Sequence, residues 1–374
     1  MLVLGGYGNF GARICRGLSG DPSIQLLIGG RDVQRARAAA GALGHGAEGV
    51  AIDQHAPDTH QTLQRLGVDL VVHTAGPFQQ QDYRLAMAAA TARAHYIDIA
   101  DGRRFVCDFP PTMDAAFRAA DRTALTGAST VPALSSAVVD RLCDRWQRIN
   151  SIDICIAPAQ TAPRGVATLA AVLSYCGEPI QVWDGGRWRS QRGWARPEPV
   201  RFARLRSRLG ALCDIPDLEL FPAHYRTTQR VMFHAALEVG IAQRGLAILA
   251  ALRAIGLIKR PQRLAWVLNQ AARAVDFLGS ALGGMVVRVV GVDQSGNAMR
   301  RTWNITAPDD HGPEIPCMAA ILLTRRLARA PQRPVGAYTC VGMLSLAEFE
   351  PEFARWGMTT DIANEGSDDG AASI

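Results

Sequence analysis

The sequence predicts an α/β fold, a doubly wound parallel sheet joined to a second α+β domain that contains a mostly antiparallel sheet. Three observations predict it. Over the first 130 residues, short apolar runs alternate with helical stretches rich in alanine and arginine, the rhythm of βαβ units. Those runs are continuously apolar rather than alternating, as in strands covered on both faces. After about residue 150 the pattern gives way to hairpin signals.

Taken in order, Leu2–Leu4, Ile24–Ile28, Val50–Ile52, Val68–His73, Tyr96–Ile99 and Thr123–Thr126 read as strands. Between them Gly11–Leu18, Val33–Leu43, Asp82–Arg93 and Met113–Ala120 read as helices, built from good helix formers. A further helix is expected after Ala133, with Leu134, Val138, Leu142 and Trp146 at four-residue spacing on one face. Ser151–Ile156 reads as a strand, and Val182–Trp188 as a hairpin turning at Asp184-Gly185-Gly186. A second hairpin is expected from Val286–Val292 and Met299–Thr306 around Gln294-Ser295-Gly296-Asn297. The expected division is a nucleotide-binding domain over 1–130, a second α+β domain for substrate or oligomerisation over 131–334, and a C-terminal segment over 335–360. Residues 361–374, acidic and small from Glu365 onward, are expected to be a disordered tail.

Composition narrows the function classes. A chain of 374 residues with 48% hydrophobic and 20% charged residues suits two globular domains. The net charge of +6 does not point to nucleic acid: Lys259 is the only lysine among 40 basic residues, and no nucleic-acid motif accompanies the charge. The eight cysteines lie far apart, without a Cys-x-x-Cys pair or a Cys/His cluster, so no metal site and no disulfide framework is expected. A cytoplasmic location is the expectation, from cysteines read as reduced and from a first residue that leads straight into the glycine-rich turn, where no signal peptide is expected. The apolar stretch Val239–Gly284 is interrupted by Arg244, Arg253, Lys259, Arg260, Arg263 and Arg273, too often for a membrane span. Covering helices or a homodimer contact are the plain reading. A substrate channel for a hydrophobic small molecule is an alternative, and so is membrane-surface contact, which is not favoured.

The cofactor reading starts from Gly6-Tyr7-Gly8-Asn9-Phe10-Gly11, a G-x-G-x-x-G turn between a strand and a helix. Its glycines permit a tight turn, close approach of a pyrophosphate and close packing of the helix on the sheet, and the helix N-terminus meets the phosphate charge. This is the Rossmann fingerprint. At the end of the second strand, where an NAD site usually carries a carboxylate, the sequence has Gly29-Gly30-Arg31. A guanidinium pairs with a 2′-phosphate, the two glycines would leave room for it, and NADP(H) is expected. Asp32 would reverse that choice if it faced the ribose. Asp53, closing the third strand, either reaches the adenine edge or caps its loop. Ala75, Gly76, Pro77 and Phe78 follow the fourth strand and would lie against ribose and nicotinamide, unless Phe78 is simply core.

These residues resemble a known family. Gly5 through Gly11, Thr74-Ala75-Gly76-Pro77-Phe78, His95-Tyr96-Ile97-Asp98-Ile99-Ala100-Asp101-Gly102 and Gly127 through Ser135 are similar to the NADP-binding domain of saccharopine dehydrogenase-like proteins. Pro216 through Pro222 and Gly312 through Pro316 also resemble bacterial members. The resemblance implies a Rossmann domain, a second α+β domain, NADP-linked redox chemistry, and a C-terminal segment, here Val335–Trp356, that can return to the Rossmann domain. The amino-acid-forming enzymes are understood to use a lysine and a histidine in proton transfer. Lys259 sits in a basic stretch that reads as a loop, so saccharopine is not the expected substrate. The family resembled also includes enoyl reductases acting on lipid-like intermediates, which would suit the apolar Val239–Gly284 region and an apolar enoyl or keto substrate.

Hydride transfer needs a proton donor or charge stabiliser beside the acceptor. Tyr83, Asp98, Asp101 and Arg103 follow strand ends near the expected nicotinamide and are the catalytic candidates. Their plain alternative is an Asp101–Arg103 ion pair and buried strand residues such as Tyr96. His224 and His311 lie near turns and rank below them. A non-catalytic NADP sensor, or a lipid-associated protein with a structural Rossmann domain, is the alternative class.

Overall fold

The computed structural model describes all residues except 80, 164, 330–333 and 366–374, and the backbone alone of Ala167 and Glu365. The chain divides into two compact units, Met1–Leu134 with Glu314–Leu344, and Ser135–Pro313 with Ser345–Ile374.

The first unit is a Rossmann fold. Its elements are β1 (Leu2–Leu4), α1 (Asn9–Leu18), β2 (Leu27–Gly30), α2 (Val33–Leu43), β3 (Glu48–Ala51), α3 (Thr59–Arg65), β4 (Leu70–His73), α4 (Arg84–Thr91), β5 (His95–Asp98), α5 (Arg103–Ala120) and β6 (Thr123–Thr126). Seven parallel strands run in the order Gly336–Thr339, β6, β5, β4, β1, β2, β3. The strand order therefore reverses between β1 and β4, the switch point outside which α/β sheets bind ligands. All residues of β1, β2, β4, β5 and β6 are buried, whereas the edge strand β3 is partly exposed. This is the burial that continuous apolar runs require.

Several elements differ from expectation for identifiable reasons. The helix expected over Met113–Ala120 begins ten residues earlier, at Arg103. Pro110 and Pro111 each lack an N–H, but the buried stripe of Phe105, Phe109, Met113 and Phe117 continues through them. Trp146 is not on a helix: Arg145 at φ 60° ends that segment, and Trp146 begins a strand. The strand expected from Ile24 starts only at Leu27.

The returning segment is Glu314–Leu344, which begins before Val335 and ends before Trp356, the helix Leu346–Arg355 lying with the second unit. The helix Ile315–Arg329 packs on α1, where a side chain at Gly17 would overlap Ile321. Arg13 Nε lies 3.0 Å from the buried carboxylate of Glu314, and Arg325 donates to the Gly17 carbonyl at 2.6 Å. The strand Gly336–Thr339 then pairs with β6 from Gly336↔Thr123 to Thr339↔Thr126. The unit division falls at Leu134, and Glu314–Leu344 lies with the first unit.

The second unit is α+β, with helices α6 (Ser135–Leu142), α7 (Val166–Ser174), α8 (Asp217–His224), α9 (Gly240–Ala254) and α10 (Ala265–Ala274). Its strands are β7 (Trp146–Ala157), β8 (Pro179–Asp184), β9 (Arg187–Arg192), β10 (Glu198–Val200), β11 (Arg208–Leu212), β12 (Arg230–Leu237), β13 (Gly283–Asp293) and β14 (Ala298–Ala307). The helix Leu346–Arg355 and the strand Thr359–Glu365 complete it. The sheet runs β10, β11, β12, β7, β13, β14, Thr359–Glu365, with β8 pairing β12 and β9 beside that path. Only the β12–β7 pair is parallel. Both expected hairpins form, turning at Gly185-Gly186 and at 294–297. Ile152, Ile154, Val231, Phe233, Val287, Trp303 and Ile305 fill the core. The tail expected to be disordered from 361 instead pairs antiparallel with β14 through Glu365, where its backbone supplies partners to the otherwise open edge of β14; the remainder, 366–374, lies outside the described residues.

Candidate functional site

The site is built where β1, β2, β4 and β5 end. Gly5 takes φ +80°, its N–H donates to the Gly29 carbonyl at 2.9 Å, and its carbonyl accepts from Gly8 N–H at 2.8 Å. That tight turn explains two glycines. A side chain at Gly11 would overlap the Gly5 carbonyl, and one at Gly6 would fall 2.9 Å from the Val3 carbonyl. Gly8 differs: an added Cβ would meet only the Gly5 oxygen, at 3.1 Å, with open space beyond. Gly8 also stands at the N-cap of α1, where no side chain caps the helix. Asn9 and Phe10 form the first turn, with the Asn9 side chain and carbonyl accepting from Arg13 at 2.5 and 2.7 Å. The Phe10 carbonyl accepts from Cys317 Sγ at 3.6 Å. An uncapped helix N-terminus facing an open glycine is an anion site, and it fits the diphosphate of a dinucleotide.

At the end of β2 the glycines do not leave room for a phosphate. A side chain at Gly30 would overlap the Tyr7 ring, and one at Gly29 would press on Leu2 and Ile52. Tyr7 occupies that space because its ring is held by the Arg35 guanidinium, 4.8 Å above it. The open volume lies beside it, a cavity of about 280 Å³ lined by Arg31, Ala51, Ile52, Asp53, Ala56, Thr59 and Thr62. Arg31 is exposed at its edge. Asp32 turns away to cap α2, one carboxylate oxygen accepting Gln34 N–H and Arg35 N–H at 3.0 Å each. Asp53 accepts His55 N–H at 3.0 Å within its loop, the loop-capping alternative, and also lines the cavity.

After β4, Thr74 Oγ1 donates to the Leu4 carbonyl at 2.8 Å and ties this loop to the glycine turn. Ala75, Gly76 and Pro77 stay at the surface, braced by Gln81, whose Nε2 donates to the Ala75 and Pro77 carbonyls at 2.7 and 2.9 Å. Phe78 turns inward, ring centroids 4.9 Å from His73 and 5.3 Å from Phe105. It is buried at 4% exposure, which is the core alternative.

The structure brings the four catalytic candidates to one end of the sheet and gives them different surroundings. Tyr83 donates to the Phe105 carbonyl at 2.9 Å, and burial followed by the carboxylates of Asp108 and Asp98 pushes its hydroxyl up to about 12. Asp98 is fully buried; its Oδ1 accepts from Ala100 N–H, Thr126 Oγ1 and Gly127 N–H at 3.0, 3.0 and 2.8 Å. Burial outweighs those donors and raises its pKa to about 6. The pattern ties β5 to the turn at Gly127, a positioning task. Asp101 is exposed and accepts from Gln79 Nε2 at 3.1 Å. Arg103 opens α5 and is buried. A side chain at Gly102 would fall 3.3 Å from the Gln79 backbone, so the loops after β4 and β5 are packed together.

Sequence reasoning missed Gln79, Gln81 and His73. His73 Nδ1 lies 2.9 Å from the Tyr96 hydroxyl, and burial holds the imidazole near pKa 3, in its neutral form. A histidine closing an otherwise apolar strand was the available signal. In the second unit a buried pair also went unnoticed: Ser135 Oγ donates to Asp217 Oδ2 at 2.5 Å, and burial pushes Asp217 up to about 8. His224 stacks edge-on to Tyr225 at 4.7 Å, and His311 Nδ1 lies 3.1 Å from the Trp356 carbonyl.

Residues 1–140 match the family model for the saccharopine dehydrogenase NADP binding domain. Among solved structures, the chain is similar to apo saccharopine dehydrogenase (L-Glu forming) of Saccharomyces cerevisiae, with a TM-score of 0.70 and 12% identity over 98% of this chain and 99% of that one. The DAP dehydrogenase of C. glutamicum gives a TM-score of 0.47 at 13% identity over 95% and 97% of the two chains. No curated protein matches the sequence. The first 140 residues thus carry a nucleotide-binding domain of the saccharopine dehydrogenase type, and the whole chain shares that enzyme's fold.

Proposed function

We propose, from a nucleotide domain of the saccharopine dehydrogenase type, that the chain is an NADP(H)-dependent oxidoreductase acting on an apolar enoyl or keto compound rather than on saccharopine. The observation that carries the cofactor is the pairing of an uncapped α1 N-terminus at exposed Gly8 with the Arg31-edged cavity. Gly6, Gly8 and Gly11 would hold the diphosphate, Arg31 a 2′-phosphate, Asp53 the adenosine edge, and Ala75, Gly76 and Pro77 the nicotinamide half. One oxygen of the Asp32 carboxylate is engaged in capping α2, which leaves Arg31 as the side chain assigned to the ribose end of the site. When bound, the dinucleotide supplies or accepts a hydride.

The remaining groups divide by accessibility. Asp101 faces solvent and is the side chain we assign to proton movement at the acceptor, with Arg103 as its charge stabiliser. Asp98 positions the Gly127 turn, and Tyr83 fixes α5 beside it. The exclusion of saccharopine rests on Lys259. It is the only lysine and lies in a basic bend, Ile258-Lys259-Arg260-Pro261, so we assign it no part in the lysine-assisted proton transfer that the resemblance implies; the apolar acceptor is assigned from the enoyl reductases that the same resemblance includes.

The test follows NADPH absorbance with enoyl and keto compounds of increasing chain length, beside saccharopine. Affinity should rise by about 0.8 kcal/mol per methylene until the site is filled, and Asp101→Asn should lower kcat with NADPH affinity kept. Turnover of saccharopine alone overturns the acceptor class. NADPH binding without turnover of any compound favours a non-catalytic sensor.

A further inference from the structure

Ten of the fourteen large apolar side chains left exposed among the described residues come from Ile241 to Leu282, on α9, α10 and the segments around them. They are not the core faces of these helices. α9 buries Leu246, Leu249 and Ala250, and α10 buries Ala265 and Asn269. The outward face of α9 carries Ile241 and Ile248, exposed by 71% and 62%. Arg244 is exposed between them on the same face, three residues after one and four before the other. Ile255 continues the row past the helix end. On α10, Trp266 is exposed by 63% and shares a face with exposed Arg273, and Phe277 follows at 82%.

The charge on this face has one sign. Arg244, Lys259, Arg260, Arg263 and Arg273 are all exposed, and the one carboxylate from Val239 to Gly284, Asp276, is half-buried and accepts from Gln160 Nε2 at 2.9 Å. Against a second copy of the same face these cations would meet cations, since a two-fold contact opposes a patch to itself. An apolar strip with an outward tryptophan and interspersed arginines fits instead the boundary of a bilayer, where apolar groups enter the acyl region and cations meet lipid phosphates. No helix among the described residues is long and apolar enough to cross a membrane, so the contact would lie along the surface.

We infer that the α9–α10 face docks on an anionic lipid bilayer. This rests on the second unit's own residues and stands or falls apart from the hydride reading. Flotation of the full chain with vesicles of phosphatidylcholine, with and without phosphatidylglycerol, tests it. Binding is expected with phosphatidylglycerol, to be much weaker without it, and to fall with added salt. Trp266→Ser and Phe277→Ser should each lower partitioning by about tenfold, and Arg260→Glu and Arg263→Glu by at least about fivefold each. The melting temperature should stay within a few degrees of wild type in all four, which shows that they remain folded. No vesicle binding overturns the inference, as does equal binding to both vesicles. So does a dimer in sedimentation that the same substitutions disperse without any vesicle binding, which would make a second copy the occupant.

Discussion

Tyr7 covers Gly30. The ring fills the space a side chain at Gly30 would need, and its hydroxyl accepts Asp32 N–H at 3.3 Å. The glycine turn and the end of β2, the two halves of the candidate nucleotide site, are thereby locked to each other through one side chain.

Gly30→Ala should therefore destabilise the protein by about 1–3 kcal/mol, the usual cost of overpacking, and weaken NADPH binding by displacing Tyr7. In a double-mutant cycle with Tyr7→Ala, measured by urea unfolding, the two costs should fall short of additive because the second removes what the first strikes. Strict additivity would mean that the ring does not occupy that space.

Gly8 and Gly11 should behave differently although both belong to one motif. Gly8→Val points into open space and should keep the melting temperature within a few degrees while abolishing dinucleotide binding by calorimetry. Gly11→Val drives its side chain into the Gly5 carbonyl and should lower the melting temperature or prevent folding. Equal thermal stability of the two variants would contradict the turn geometry.

Cofactor choice is tested at Arg31. NADPH should bind more tightly than NADH, and Arg31→Ala should weaken NADPH by roughly 1.5–3 kcal/mol, the worth of a charge-assisted contact, with NADH nearly unchanged. Equal wild-type affinities for the two would remove the 2′-phosphate assignment.

Asp217 sets a pH dependence. Its ordinary value is 3.8, and burial raises it to about 8 in the folded protein. Between those values the native state keeps a proton that the unfolded chain has released, so this contribution is fully present below about pH 4 and is lost as pH rises through 8. The stability of wild type relative to Asp217→Asn, measured by urea unfolding, should fall over this window by up to about 1.4 kcal/mol per pH unit. A difference that is flat with pH would show that Asp217 titrates normally.

What could be read from the sequence was what is local. Val33–Leu43 and Thr123–Thr126 were legible to the residue because apolar period and turn residues decide them within a few positions. The glycine turn was legible for the same reason. The prolines at 110 and 111 hid the first half of α5, since their local cost is offset only by a buried stripe completed in three dimensions. Tyr7 over Gly30 could not be read, because residues 23 positions apart meet only once β1 and β2 pair. Nor could Gln79 beneath Asp101, a contact between two loops that have no periodicity.

The strand Gly336–Thr339 has a consequence for biosynthesis. A ribosome delivers β1 through β6 first, then the Ser135–Pro313 part of the second unit, and only afterwards the helix that covers α1 at Gly17 and the strand that closes the β6 edge. Until then the nascent sheet carries an open edge and an uncovered apolar face, a template for pairing with other chains. Early ribosome release after residue 313 would leave that surface permanently bare, which makes late truncation more damaging than its short length suggests.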